Sequence, residues 1–214
     1  MKLISYKKDG KINVGALENE MIYSLHELNA QIADNMKDLL EDFENQLLLA
    51  KNTIENTTPT ISISGVELVC PIPNPPSVRD AYAFRQHVAT ARKNRGLDMI
   101  PEFDEIPIFY FTNHNAVFGP GNFPVLEQHT KKLDFELECA AVIGKKGRNI
   151  SSSDADDYIA GFMIMNDFSA RVLQMQEMKL NLGPAKGKDF GSSFGPWLVT
   201  KDELEQYRKP SSKG

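Results

Sequence analysis

The sequence predicts an α+β fold in which β-structure dominates, and three observations carry that expectation. The first 24 residues divide into short apolar segments separated by polar turns, as a small antiparallel sheet would. Residues 36–48 form a stretch of helical periodicity, with apolar side chains recurring every three or four positions. From residue 77 onward, β-prone runs alternate with short helical ones.

In chain order, turns at Lys8-Asp9-Gly10 and Glu18-Asn19-Glu20 separate predicted strands around Leu3–Tyr6, Ile12–Ala16 and Met21–Tyr23, a three-stranded meander. Met36, Leu39, Leu40, Phe43, Leu47 and Leu48 then share a helix face, with acidic residues between them, and this stripe is expected to pack on the meander. Val66–Cys70 reads as a further strand. The run Pro71-Ile-Pro-Asn-Pro-Pro76 breaks regular structure and forms a stiff connector. It divides an N-terminal unit, residues 1–71, from a second unit, residues 77–214. Within the second unit, the polar stretch Arg92–Glu105, with Gly96 and Pro101, reads as a surface loop. Asp134–Ile143 and Ala160–Met165 read as buried strands, and Ser169 as the N-cap of a helix carrying Arg171 and Gln174.

Composition narrows the function. A chain of 214 residues, 41% hydrophobic and 25% charged, has enough material for a sizeable core. The net charge of −5 and the shortness of each basic cluster argue against a nucleic-acid partner. Cys70 and Cys139, both within apolar β-like runs, are too few for a disulfide framework or a zinc site, and fit a reducing compartment. The N-terminus lacks an apolar leader and no run approaches spanning length, so no membrane partner and a cytoplasmic location are expected.

The chemistry concentrates around Asp134-Phe-Glu-Leu-Glu138. On a strand, Asp134, Glu136 and Glu138 share one face while Phe135, Leu137 and Cys139 share the other. Two carboxylates about 5 Å apart repel by roughly 3 kcal/mol at an effective dielectric near 20. A cleft tolerates that if a cation lies between them or if one acid keeps its proton. Oxygen-only ligands point to Mg²⁺, Mn²⁺ or Ca²⁺. The bland alternative is a solvent-facing acidic stripe on an edge strand. Near it in the predicted fold, Asn166-Asp167 ends a strand, and Arg171 and Gln174 share a helix face three residues apart. Lys188 sits in the tight loop Gly187-Lys-Asp-Phe-Gly191. Upstream, Asp80 and His87 are seven residues apart, nearly two helical turns, so on a helix both would face one cleft.

Taken in order, these motifs resemble the fumarylacetoacetate hydrolase family of metal-dependent enzymes acting on carbon–carbon bonds. The matching segments are Asp80 with Arg85-Gln86-His87, Leu133–Glu138 with Val142-Ile-Gly-Lys145, Asn166–Arg171 with Gln174, and Gly187-Lys188 through Ser193 before Gly195-Pro196. The resemblance implies a mixed β-roll following a small β-rich N-terminal domain, and a homodimer. It implies that Asp80, Glu136, Glu138 and Asp167 hold the metal, which moves Asp134 to an outer position. It implies His87 as general base; Arg171, Gln174 and Lys188 as groups that hold and polarise substrate oxygens; and Tyr82 and Tyr110 as substrate contacts. The reaction it implies is hydrolysis of a β-diketo acid, with decarboxylation, tautomerisation or dehydration of a 2-oxo acid on the same fold as the alternative. Family members continue beyond a Gly-Pro-Trp-Leu-Val-Thr strand with further strands that line the pocket. This sequence stops at Gly214, so its second unit is expected to be C-terminally incomplete, and a non-catalytic metal-binding homologue is the competing reading.

Two lookalike motifs fail on their physics. Gly191-Ser-Ser-Phe-Gly195 has the spacing of a nucleophile elbow, but Pro196 follows where a helix is needed, and the last histidine, His129, lies upstream. Gly183-Pro-Ala-Lys-Gly187-Lys-Asp189 is one residue short of a phosphate loop and carries Asp where a hydroxyl should meet Mg²⁺. His26, His114 and His129 have no partner at ligand spacing and read as structural or exposed.

Overall fold

The computed structural model describes residues 1–209, so the tail 210–214 that closes the second unit lies outside the described residues. The chain opens with β1 (Lys2–Lys8), β2 (Lys11–Glu18) and β3 (Met21–Ser24), paired antiparallel as the alternation predicts. Asp9, Asn19 and Glu20 take positive φ and Gly10 turns with them, so the predicted turn residues do make the turns. A single helical turn, α1 (Leu25–Leu28), follows, and then α2 (Met36–Glu41) and α3 (Phe43–Glu55). The predicted single helix is thus two, broken at Asp42. The apolar stripe survives the break: Met36, Leu39, Leu40 and Phe43 are buried, whereas Leu48 faces solvent. Asn35 caps α2 by accepting from the Asp38 amide.

After α3 come two short strands, β4 (Ile61–Ser62) and β5 (Glu67–Leu68). The strand expected over Val66–Cys70 pairs with β1 over only its two central positions. Beyond the prolines lie β6 (Val78–Ala81), α4 (Arg85–Lys93), α5 (Glu102–Glu105), β7 (Phe109–Thr112), β8 (Val117–Phe118), α6 (Glu127–Thr130), β9 (Leu133–Asp134) and β10 (Leu137–Ile143). The stretch read as a loop therefore holds the end of one helix and a second short one. The chain continues through β11 (Ile159–Asn166), β12 (Ser169–Ala170), α7 (Arg171–Glu177), α8 (Ala185–Lys188), β13 (Ser192–Phe194), β14 (Leu198–Thr200) and α9 (Lys201–Leu204).

Ten of these strands form one mixed, mostly antiparallel sheet, the mixed β-architecture the sequence predicts. It draws strands from both sides of the proline-rich connector, because β1 pairs with β14 at Leu3–Leu198. β11 is the hub. It pairs with β10 along one edge, and with β14 and then β13 along the other. Gly161 permits this, since a Cβ there would lie 2.1 Å from the Val199 carbonyl oxygen. The main core lies between the meander, α2–α3 and the β11–β14 part of the sheet, with Leu3, Val14, Leu25, Ile32, Leu39, Ala160 and Leu198 among its buried residues. Each such leucine or isoleucine contributes about 1.5–3 kcal/mol by leaving water.

β10 departs from expectation. It pairs only with β11 among the described residues, and its apolar side chains Leu137 (72% exposed) and Ile143 (60%) face solvent with Phe135 (66%). The acidic face is the one turned inward.

Candidate metal centre

Three segments of the chain deliver the four carboxylates. The predicted strand across residues 134–143 is interrupted at Phe135-Glu136, where pairing with β11 gives way to pairing between β9 and β12. Backbone bonds still hold the gap: the Asp167 amide donates to the Glu136 carbonyl at 3.0 Å, and the Glu136 amide to Asn166 Oδ1 at 3.2 Å. Glu136 and Glu138 therefore stand beside Asp167 at the end of β11. Asp80 arrives from β6, whose register places it opposite Tyr110 of β7. One carboxylate oxygen from each of Asp80, Glu136, Glu138 and Asp167 lies within 4.8 Å of all the others. All four residues expected as metal carboxylates are brought together.

Positive and polar groups close around them. Lys188, 3% exposed, donates from Nζ to Glu136 Oε2 at 2.7 Å and to Asp167 Oδ2 at 2.5 Å. It reaches that position because Gly187 lets α8 approach α7: a Cβ at residue 187 would lie 2.6 Å from Gln174 Cβ. Arg171 bonds Glu136 Oε1 at 2.6 Å and Asp134 Oδ2 at 2.9 Å, and also donates to Gln174 Oε1 at 3.0 Å. Asp134 thus sits outside the cluster, holding the arginine. The Tyr110 hydroxyl lies 2.7 Å from both Asp80 Oδ2 and Asp167 Oδ2, and its single proton serves one of them at a time. Ser192, fully buried, donates to Asp167 Oδ1 at 3.4 Å.

The electrostatics follow from who has a partner. Burial works to raise Glu136, but the bonds and charges of Lys188 and Arg171 overcome it and hold this carboxyl below its ordinary range. Burial pushes Asp167 up to about 6 against the pull of Lys188 and Tyr110. Burial, reinforced by the charges of Asp80, Asp167 and Glu136, pushes Glu138 up to about 7. Tyr110 is raised as well, by burial first and then by the negative charges beside it.

The structure separates other expected partners. Asp80 lies on a strand and His87 on α4, so the shared helix face predicted for them does not exist: the chain changes element between them. His87 is exposed and has no hydrogen bond or ion pair among the described residues. Its helix is instead tethered through Arg85, which pairs with Asp104 at 2.9 Å. Tyr82 is 59% exposed and takes no part in the cluster. Ser169 is not a cap, because it lies in β12 and donates to the Asp167 carbonyl at 3.1 Å, and α7 begins after Ala170. The bridging places of Tyr110 and Ser192 escaped sequence reasoning. The alternation of β7 could have signalled Tyr110, but only the β6–β7 register aims it at Asp80. His129 is buried, stacks on Phe190 at 4.3 Å and accepts from the Leu126 amide at 3.2 Å, a structural role as expected.

A fold of this kind, with acids gathered at the ends of sheet strands, defines a class that known proteins share. The sequence model of the fumarylacetoacetate (FAA) hydrolase C-terminal family matches residues 77–211, and the chain belongs to that family. An oxaloacetate tautomerase of Xenopus laevis mitochondria is 27% identical over 214 aligned residues, covering 95% of this chain and 63% of that protein. A fumarylacetoacetase of Arabidopsis thaliana is 45% identical over 98 residues, 44% of this chain and 21% of that one. Among solved structures, maleylpyruvate hydrolase from Sphingobium sp. SYK-6, in complex with manganese(II) ion and pyruvate, superposes with a TM-score of 0.68 at 19% identity over 96% of this chain and 69% of that one. A fumarylacetoacetate hydrolase from Exiguobacterium antarcticum superposes with a TM-score of 0.62 at 22% identity, covering 94% and 67%. These structural likenesses establish the fold. The chain spans less than two thirds of the length of the curated relatives named here. No helix among the described residues is long and apolar enough to cross a membrane.

Proposed function

We propose that this chain forms the metal-holding part of an enzyme that hydrolyses a carbon–carbon bond in a β-diketo acid resembling an acylpyruvate or fumarylacetoacetate. The observation that carries this reading is the convergence of Asp80, Glu136, Glu138 and Asp167 beside Arg171, Gln174 and Lys188. The residues fit a divalent ion. The donors are all oxygens, as Mg²⁺, Mn²⁺ and Ca²⁺ require, and Lys188 and Arg171 leave the five acids around them in excess. A bound ion would polarise a substrate carbonyl and spread the charge of the enolate that leaves. Manganese and pyruvate in the Sphingobium hydrolase are compatible with that assignment.

The chain's own groups supply the rest. Arg171, with Gln174 on its flank, offers a planar donor array for a substrate carboxylate. Lys188 supplies a second cation for oxygens in which charge develops. His87 takes a proton from the attacking water. Oxygen then bonds to the carbonyl carbon, the carbon–carbon bond breaks, and its electron pair passes to the enolate, whose carbon recovers a proton.

Tautomerisation or decarboxylation of a 2-oxo acid is the second reading. It needs no activated water, and His87 is held by no partner among the described residues. The alignment with the Xenopus tautomerase also runs along nearly the whole chain. Assays of acylpyruvate hydrolysis and of oxaloacetate enol–keto exchange with Mn²⁺ decide between them. Hydrolysis that falls roughly 10²–10⁴-fold in His87→Ala supports the first reading. Exchange or decarboxylation without hydrolysis, unmoved by that substitution, supports the second. Tight Mn²⁺ binding with no turnover of either substrate identifies a non-catalytic homologue.

A further inference from the structure

Lys188 is bound to two of the carboxylates that would hold a divalent ion. Its ammonium sits between Glu136 Oε2 and Asp167 Oδ2, two of the four clustered carboxylates, in a pocket that leaves it 3% exposed. Both Glu136 oxygens already carry a cation, Arg171 at Oε1 and Lys188 at Oε2. Asp167 is committed as well: Ser192 meets Oδ1, and both Lys188 and Tyr110 meet Oδ2. An ion that draws on all four carboxylates would therefore share Glu136 and Asp167 with Lys188. An ammonium and a divalent cation confined among the same oxygens would also repel each other at short range.

The geometry points to Lys188 as a resident counter-ion that the divalent cation must displace, so that loading the metal releases the lysine to meet an anionic substrate. The inference rests on the metal site proposed above and adds an order of events to it. In the metal-free protein, Lys188 neutralises part of the carboxylate cluster and keeps its acids together. Once the cation takes over that task, the same ammonium faces the open side of the site with Arg171 and Gln174. Metal and 2-oxo acid then bind with positive coupling, each raising the affinity for the other by the same factor. A lysine that merely helped to hold the ion or its waters would work in the opposite direction.

Mn²⁺ titration of the wild-type protein and of Lys188→Met, followed by electron paramagnetic resonance at fixed ionic strength, separates these cases. Displacement predicts that Lys188→Met binds Mn²⁺ at least roughly tenfold more tightly, because the competing charge is gone. It also predicts a lower melting temperature than wild type without metal and a larger upward shift when Mn²⁺ is added. Unchanged or weaker binding in Lys188→Met overturns the inference while leaving the metal site standing. Absence of Mn²⁺ binding in both proteins overturns the site and the inference together. Should Lys188→Met fail to fold, reductive methylation of the wild-type protein, read by mass spectrometry, separates the same two cases. Lys188 is expected to be protected without Mn²⁺ and modified in its presence, and equal protection in both states overturns displacement.

Discussion

β1 and β10 are both seven-residue strands with a strong apolar component, and the molecule treats them in opposite ways. β1 has β2 on one edge and β14 and β5 on the other, with α2–α3 packed over the sheet, and Leu3 and Ile4 are at most 1% exposed. Among the described residues β10 has β11 alone, and Leu137 and Ile143 lie open to water. The β1 region owes its order to apolar burial on every side. The β10 region is anchored on one face only, where Glu136 pairs with Lys188 and Arg171 and Val142 reaches the main core, while Leu137 and Ile143 on the other face lie open. Burial is therefore a property of how many neighbours a strand acquires. Hydrophobicity alone does not produce it.

The contrast can be broken by substitution. Leu39→Ala empties a site 1% exposed beneath the meander, and is expected to cost about 2–5 kcal/mol in urea unfolding. Leu137→Ser on the open face should cost little by the same measurement and should reduce self-association in light scattering, since exposed apolar strand edges promote it. Equal losses of stability would mean that β10 is covered in solution, most simply by a second copy in the homodimer the family resemblance implies.

Metal binding sharpens the ionic side of the comparison. Glu136→Ala removes a member of the cluster and is expected to weaken Mn²⁺ binding severely by calorimetry. Asp134→Ala, which only releases Arg171, should cost on the order of 10-fold, the scale of an outer partner. Losses of the same size in both would place Asp134 among the ligands.

A smaller effect is expected from pH. Glu138 titrates near 7 in the folded protein against an ordinary 4.5, and Asp167 near 6 against 3.8. Between those values the folded state holds protons that the unfolded chain has released, so the stability of the metal-free protein falls as pH rises from about 5 to 7. Mn²⁺ has fewer protons to displace at the upper end, and its effect on melting should grow over the same window. Melting curves at several pH values with and without chelator test both signs. A metal-free protein that gains stability across that window would contradict the assigned burial of these acids.

The smallest effect belongs to the exposed Arg85–Asp104 pair. Arg85→Ala should leave the unfolding midpoint unchanged, because water and salt screen such pairs. A measurable loss would show that α4 and its His87 are held more firmly than their exposure indicates.

Much of the fold was legible in the residues. The turns at Asp9-Gly10 and Asn19-Glu20 need conformations that few residue types tolerate, and the stripe Met36–Phe43 has a periodicity that suits a helix face. Both are local properties, and both appear in the structure with only the break at Asp42 unforeseen. That Glu136 and Glu138 share a face also followed from alternation, since neighbours along a strand point to opposite faces.

Tertiary structure alone decided what those faces would meet. Glu136 and Glu138 could equally have formed a solvent-facing stripe. Lys188 and Asp167, 52 and 31 residues away from Glu136, make the difference by folding back against it. Asp80 reached the same cluster from a strand, where the seven-residue spacing to His87 had implied a helix, because β6–β7 pairing with Tyr110 overrode local periodicity. Side-chain direction along one element is set by backbone geometry over a few residues, so it can be read from sequence. Which charges come to lie opposite one another depends on pairings across the whole chain, whose loops separate partners by tens of residues and leave no local trace.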